Sequence, residues 1–135
     1  MATSTITSDG SLPQAWRPPM GWNSWDSYGT TITEDEVLAN ARFMAEHLRD
    51  AGWDTLVIDA GWFDPNAHAH GYSDGTPLCI DEYGRQVPDE RRFPSAAGGN
   101  GLKPLADEIH AFGLKLGVHV MRGIPRQAVH ENLPV

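Results

Sequence analysis

The sequence is short of cysteine and of positive charge, and each shortage argues against a class of protein. A single cysteine, Cys79, cannot form an internal disulfide and gives no sign of an oxidising compartment. Because it stands between Leu78 and Ile80, we interpret it as a small apolar filler. Ten basic residues against eighteen acidic ones give a net charge of −8, which argues against a nucleic-acid or anionic-membrane surface.

Long apolar runs are also missing. No stretch has the length of a signal peptide or a transmembrane helix, which predicts a cytoplasmic protein without a membrane partner. Residues 1–16 are small and polar and are interpreted as a disordered leader, and residues 17–135 as one folding unit. A chain of 135 residues is too short for a whole (β/α)₈ barrel, which takes roughly 250 residues.

What the sequence does contain is an alternation of buried strands and amphipathic helices. The patterns predict three strands and three helices: strands at 18–25, 54–60 and 114–120, and helices at 33–52, 102–112 and 125–134. Thr33 and Glu36 have the spacing of a capping box at the start of the first helix. Such alternation implies parallel strands with right-handed crossovers. The fold class is therefore α/β, and periodicity fits a doubly wound sheet as well as the start of a barrel.

One connection is unusually long. Residues 61–100 contain many glycines and prolines and show little periodicity, and a loop of this length usually carries function or structure of its own. The stretch at 79–87, with a turn near Tyr83 and Gly84, predicts a hairpin within it.

Aromatic and charged residues stand where the predicted strands end. Ligands bind at the carboxyl ends of strands in both α/β architectures, which selects five candidates: Trp25, Asp59, Trp62, His119 and Arg122. An indole can stack on the apolar face of a pyranose while a carboxylate accepts hydrogen bonds from its hydroxyls. Asp59 closes an otherwise apolar strand, where burying a carboxylate without purpose would be costly. We expect Arg122 to pair with an acidic loop residue.

Histidines in the long loop raise a different possibility. His68 and His70 have a spacing compatible with a metal pair, and His119 could complete a small metal-dependent enzyme. No cysteine or acidic pattern of a zinc site lies nearby, so a solvated loop is the better interpretation. We predict no metal site and no cofactor.

Three motifs bear a family resemblance. The stretches "PPMGWNSW", "AGWDTLVIDAGW" and "RFPS…GLKPLADEIHAFGLKLGVH" occur in this order within residues 17–123. They resemble the amino-terminal part of glycoside hydrolase family 27, the melibiase-type α-galactosidases, whose members share "MGWNSW", "AGY…IDDCW" and "RFP…G…LADYVHSKGLKLGIY". The resemblance implies a (β/α)₈ catalytic barrel followed by a β-sandwich, of which this chain would hold the first three βα units.

The resemblance also implies a reaction. Family members hydrolyse terminal α-galactosides with retention, which needs two carboxylates about 5–5.5 Å apart, one as nucleophile and one as acid/base. In the family these aspartates follow the fourth and sixth strands. This chain stops after the third strand, so we assign it no catalytic residue.

Substrate contacts can be carried over residue by residue. Trp25 matches the tryptophan that stacks against galactose, and Asp59 matches the first of two aspartates that hold sugar hydroxyls. Ala60 stands where the second aspartate belongs, Gly61 replaces the usual cysteine, and His119 replaces a tyrosine. We therefore expect Trp25, Asp59, Trp62 and His119 to bind a carbohydrate, which is an α-galactoside, an arabinopyranoside or an α-glucan.

An alternative stays open beside this hypothesis. The chain alone would then be a truncated, non-catalytic gene product that binds sugar weakly at most. Three strands of an eight-stranded barrel leave an open edge, for which we expect aggregation or a molten state. The oligomeric state is not predicted.

Overall fold

The structure is a computed structural model that describes residues 19–69, 71, 75, 77–121 and 123–134. The predicted leader at 1–16 and the candidates His70 and Arg122 lie outside the described residues.

A parallel sheet forms the centre of the fold. Its three strands are β1 (Gly21–Asn23), β2 (Thr55–Ile58) and β3 (Lys115–Val118), in the order β1-β2-β3. All three predicted strands are confirmed, although each is shorter than its apolar run. The sheet is not closed, as expected for the first part of a barrel.

Within the described ranges, four α-helices accompany the sheet: α1 (Trp25–Tyr28), α2 (Glu34–His47), α3 (Lys103–Ala111) and α4 (Arg126–His130). Short 3₁₀ segments follow at Arg49–Ala51 and Pro94–Gly99. The capping box of α2 is confirmed, since Thr33 and Glu36 bond each other's backbone N–H. Helix α4 ends four residues before Pro134, so the predicted span of this helix was too long.

The core lies between the sheet and helices α2 and α3. Helix α2 buries residues at helical spacing, namely Val37, Leu38, Ala41 and Met44. Helix α3 buries Leu105 and Ile109, and β2 contributes Leu56 and Ile58, all at most 1% exposed. Phe93, from the long connection, is also fully buried and belongs to the same cluster.

Strand β3 differs from the prediction of a buried strand. Among the described residues it pairs only with β2, and Val118 and Val120 are 37% and 66% exposed. Its apolar side chains therefore lack a neighbour on the far side, which explains the difference.

The long connection holds less regular structure than predicted. The hairpin at 79–87 is reduced to an isolated antiparallel bridge between Ile80 and Gln86. Hydrogen bonds from Asp81 N–H to the Arg85 carbonyl and from Val87 N–H to the Cys79 carbonyl support it. A second such bridge joins His68 and Gly71.

Among the described residues, none of the helices has the length and apolar character needed to cross a bilayer.

Candidate functional site

The site lies just beyond the ends of the strands, where the backbone hydrogen bonds between neighbouring strands continue for one more residue. Ser24 donates its N–H to the Val57 carbonyl at 3.0 Å, and His119 donates its own to the Ile58 carbonyl at 2.8 Å. The buried Ser24 Oγ then accepts the N–H of Asp59 at 2.9 Å. Asp59 is therefore held between the ends of β1 and β3, at the carboxyl edge where α/β proteins bind ligands.

Two donors hold the carboxylate of Asp59, and the His119 ring lies beside it. Its Oδ2 lies 2.7 Å from the Asn23 amide nitrogen, which donates to it. Its Oδ1 accepts the Ala60 N–H at 2.7 Å and lies 3.2 Å from His119 Nδ1. The Asp59 side chain is 16% exposed and that of His119 is 44% exposed. A partly buried carboxylate held by two donors is preorganised to accept further hydrogen bonds without moving.

These residues line one open depression. Asn23, Trp25, Asp26, Asp59 and His119 surround about 440 Å³, within the size range of small-molecule sites. A partly exposed indole stands beside a carboxylate and an imidazole, which suits a ligand with one apolar face and several hydroxyls. The structure thus brings together three of the sequence candidates, Trp25, Asp59 and His119.

The fourth candidate, Trp62, lies elsewhere. Its side chain is buried, 5% exposed, and packs edge-to-face on Phe63 with ring centroids 5.3 Å apart. The indole N–H donates to the His119 carbonyl at 2.9 Å, so Trp62 holds the backbone just after β3. Trp62 borders a separate depression of about 330 Å³. Its predicted sugar contact stays a prediction.

Asn23 and Arg92 were missed by sequence reasoning. Asn23 lies within the "GWNSW" motif, but only the fold shows that its amide reaches Asp59. The Arg92 guanidinium donates to backbone carbonyls in two segments. These are Thr30 and Ile32, just before α2, and Gly61 and Asp64, in the turn after β2. The sequence contains no local pattern for such long-range contacts.

The carboxylate of Asp89 pairs with Arg92 and helps to hold its guanidinium in place. Asp89 is 4% exposed and forms ion pairs with Arg91 and Arg92. Burial tends to raise the pKa of the Asp89 carboxyl, but the hydrogen bonds and charge of the two arginines outweigh burial and lower this pKa. Burial, reinforced by the charge of Asp89, raises the pKa of the nearby Cys79 thiol.

The part of the chain that the structure describes contains no cluster of side chains that would support the metal hypothesis. There, no three His, Cys, Asp or Glu side chains come together as metal ligands would. His68 is an exposed loop residue whose Nδ1 lies 3.1 Å from the Asn66 carbonyl, and His119 contacts Asp59 instead.

Comparison with known proteins identifies a common fold and strong sequence similarity. The chain is 57% identical to a family 27 β-L-arabinopyranosidase from Geobacillus stearothermophilus, with a TM-score of 0.88 over 90% of this chain and 28% of that one. One crystal structure of that protein contains arabinose. A putative α-N-acetylgalactosaminidase from Bacillus halodurans is 58% identical, with a TM-score of 0.84 and the same coverage.

Among curated proteins, an α-galactosidase from Cyamopsis tetragonoloba is 37% identical over 118 residues, which is 87% of this chain and 24% of that protein. The chain spans about a quarter of the length of the curated relatives it matches. No protein-family model matches the chain. The three motifs, the open parallel sheet and these similarities lead to one conclusion: the chain belongs to glycoside hydrolase family 27 and carries the first three βα units of its barrel.

Proposed function

We propose that this chain is the amino-terminal part of a glycoside hydrolase that removes a terminal pyranose from a larger glycoside. One observation carries the proposal: Trp25, Asp59 and His119 line one depression at the carboxyl edge of the sheet. The indole would stack on the sugar ring, while Asp59 would accept hydrogen bonds from its hydroxyls. Two aspartates in the rest of the barrel would perform the hydrolysis with retention.

The sugar we favour is β-L-arabinopyranose. This pentose has the ring configuration of α-D-galactopyranose but lacks the hydroxymethyl group on C5. Ala60 stands where typical family members carry a second hydroxyl-binding aspartate, and it is fully buried and offers no polar side chain. If the missing carboxylate would bond the C6 hydroxyl, which arabinopyranose lacks, its absence weakens galactoside recognition alone, by roughly 1.5–3 kcal/mol or about 10- to 150-fold. The high identity to the Geobacillus arabinopyranosidase supports the same preference.

The test compares three chromogenic substrates on the full-length enzyme. We expect kcat/KM for p-nitrophenyl β-L-arabinopyranoside to exceed that for the α-D-galactopyranoside by at least tenfold, with the α-D-glucopyranoside weakest. Proton NMR of the first product should show the retained anomer. Equal rates on the galactoside and the arabinopyranoside would remove the argument from Ala60, and hydrolysis of none would overturn the proposed function.

A variant tests the role of Asp59. Asp59→Asn keeps the shape of the side chain but removes the charge, and we expect a roughly 10- to 100-fold fall in kcat/KM. Asp107→Asn is the matched control, because Asp107 is 61% exposed and pairs only with Lys103 among the described residues. If the Asp59 variant keeps the kinetics of the control, Asp59 does not contact the sugar.

The non-catalytic alternative has its own support in the open edge of β3. Val118 at the end of β3 and Val120 just after it are exposed, and among the described residues β3 pairs only with β2, so we expect the 135-residue chain alone to be aggregation-prone. It should show no turnover of any of the three substrates. Turnover by this chain alone would mean that the catalytic carboxylates lie within it.

A further inference from the structure

We propose that Asn23 is a positioning residue that sets the Asp59 carboxylate and the start of helix α1 with one amide group. The inference rests on the proposed function, because it assumes that Asp59 and Trp25 contact the sugar.

The geometry fixes which way the Asn23 amide points. Its Oδ1 accepts the backbone N–H of Trp25 at 2.8 Å, while its Nδ2 donates to Asp59 Oδ2 at 2.7 Å. The opposite orientation would place the amide NH₂ against an N–H donor and the amide oxygen against a carboxylate. Both contacts would then be repulsive, so the two partners allow one orientation only.

Neighbouring groups cannot replace this amide. Ser24 occupies the cap position of α1, yet it makes no side-chain cap bond, because its Oγ accepts the Asp59 N–H instead. Asn23 therefore supplies the acceptor that Trp25 N–H needs. On the carboxylate, Ala60 N–H and His119 both contact Oδ1, which leaves Oδ2 to Asn23.

The consequence is a direct link between the aromatic and the acidic sides of the depression. Without Asn23, Oδ2 loses a charge-assisted hydrogen bond and the carboxylate can turn about its own side-chain bonds. The first turn of α1, which carries the indole, loses its anchor at the same time. Both sugar contacts would become less preorganised.

Two substitutions separate positioning from general stability. Asn23→Ala removes donor and acceptor, and we expect kcat/KM on the arabinopyranoside to fall about tenfold, equivalent to about 1.4 kcal/mol. Asn23→Asp keeps the acceptor for Trp25 but places a second carboxylate about 2.7 Å from Asp59 Oδ2. Two carboxylates this close share a proton at acidic pH, which restores a donor between them.

Positioning therefore predicts a pH signature. The ratio of kcat/KM between Asn23→Asp and wild type should rise at least threefold from pH 7 to pH 5, whereas the ratio for Asn23→Ala stays flat. The other titratable groups lining the depression, Asp26 and His119, are present in all three proteins, and the Asn23→Ala ratio reports the pH dependence that they cause without the new carboxylate. Asn100→Asp, at an exposed turn where Asn100 bonds the Ala97 carbonyl, makes the same charge change and should show a flat ratio near one.

The outcomes distinguish the two proposals. If wild type is active and Asp59→Asn is impaired, but Asn23→Ala stays within twofold of wild type, the inference is wrong and the proposed function stands. If wild type hydrolyses none of the glycosides, the proposed function fails. A crystal structure of Asn23→Ala then decides the positioning role: a turned Asp59 carboxylate supports it, and an unchanged Asp59 and Trp25 overturn it.

Discussion

Removing the guanidinium group of Arg92 should strongly destabilise the protein, because this group is mostly buried and bonds four backbone carbonyls. The side chain is 15% exposed and donates to the carbonyls of Thr30, Ile32, Gly61 and Asp64, at 2.9, 3.1, 2.5 and 2.9 Å. It therefore connects the turn after β2 to the segment that leads into α2, across about thirty to sixty residues of sequence.

The magnitude follows from the carbonyls that lose their donor. Arg92→Met keeps the aliphatic stem but removes every donor. The Gly61 and Asp64 carbonyls keep the backbone N–H groups of Asp64 and Ala67 as donors. The carbonyls of Thr30 and Ile32 lose the donor that Arg92 supplies, at about 1.5 kcal/mol each. Asp89 keeps Arg91 as a partner at 3.1 Å, which limits the additional loss. We expect a total of about 3 kcal/mol.

Urea unfolding of the full-length protein, followed by tryptophan fluorescence, measures this loss. Arg92→Lys should recover only part of the stability, because a single ammonium reaches fewer carbonyls than a planar guanidinium. Arg85→Met is the control: Arg85 is 72% exposed and pairs with Asp81 in a turn, so less than 1 kcal/mol should be lost. If Arg92→Met loses no more than this control, the four carbonyl contacts do not hold the turn.

Three further predictions concern single positions. Gly61→Ala should lose at least 2 kcal/mol in the same assay, since Gly61 has φ of +88° and an added Cβ would lie 2.6 Å from the Thr30 Cβ; a loss below 0.5 kcal/mol would contradict this contact. Thr33→Ala breaks the capping box with Glu36 and should lose about 1 kcal/mol, and no change in the urea midpoint would mean that the box is not formed in solution. The raised pKa of Cys79 leaves less thiolate at a given pH, so Ellman's reagent should react more slowly at pH 8 with native than with urea-unfolded protein, and equal rates would show an accessible, ordinary thiol.

The periodic elements of the fold were predictable because their causes are local. A capping box and apolar residues at helical spacing predicted helix α2, and both are present in the structure. The strand runs likewise predicted β1, β2 and β3 in parallel. Element ends were less predictable, because they depend on where a neighbour stops pairing. The 114–120 run predicted a strand to Val120, whereas pairing with β2 ends at Val118.

The candidate site was predictable in part for the same reason. The rule that ligands bind at the carboxyl ends of strands selected Trp25, Asp59 and His119, which line one depression in the structure. Their contact with a sugar stays a prediction. The rule also selected Trp62, whose position after β2 says nothing about which way its ring turns. That direction follows from the hydrogen bond to the His119 carbonyl, a contact across 57 residues. Cytoplasmic location and the absence of nucleic-acid or membrane partners stay predictions from composition.

The distances along the chain explain why the site needs all three βα units. Asp59 is fixed by Asn23 from β1, 36 residues earlier, and by His119 from the end of β3, 60 residues later. Neither contact can form until the parallel strands are in register, because the N–H groups of Ser24 and His119 are the ones that extend the two ladders. The geometry of the depression is therefore a product of the sheet and not of any one motif. It follows that a change in sheet register, more than a change in surface loops, would dismantle the depression, since a slip of one residue turns each of these side chains to the opposite face.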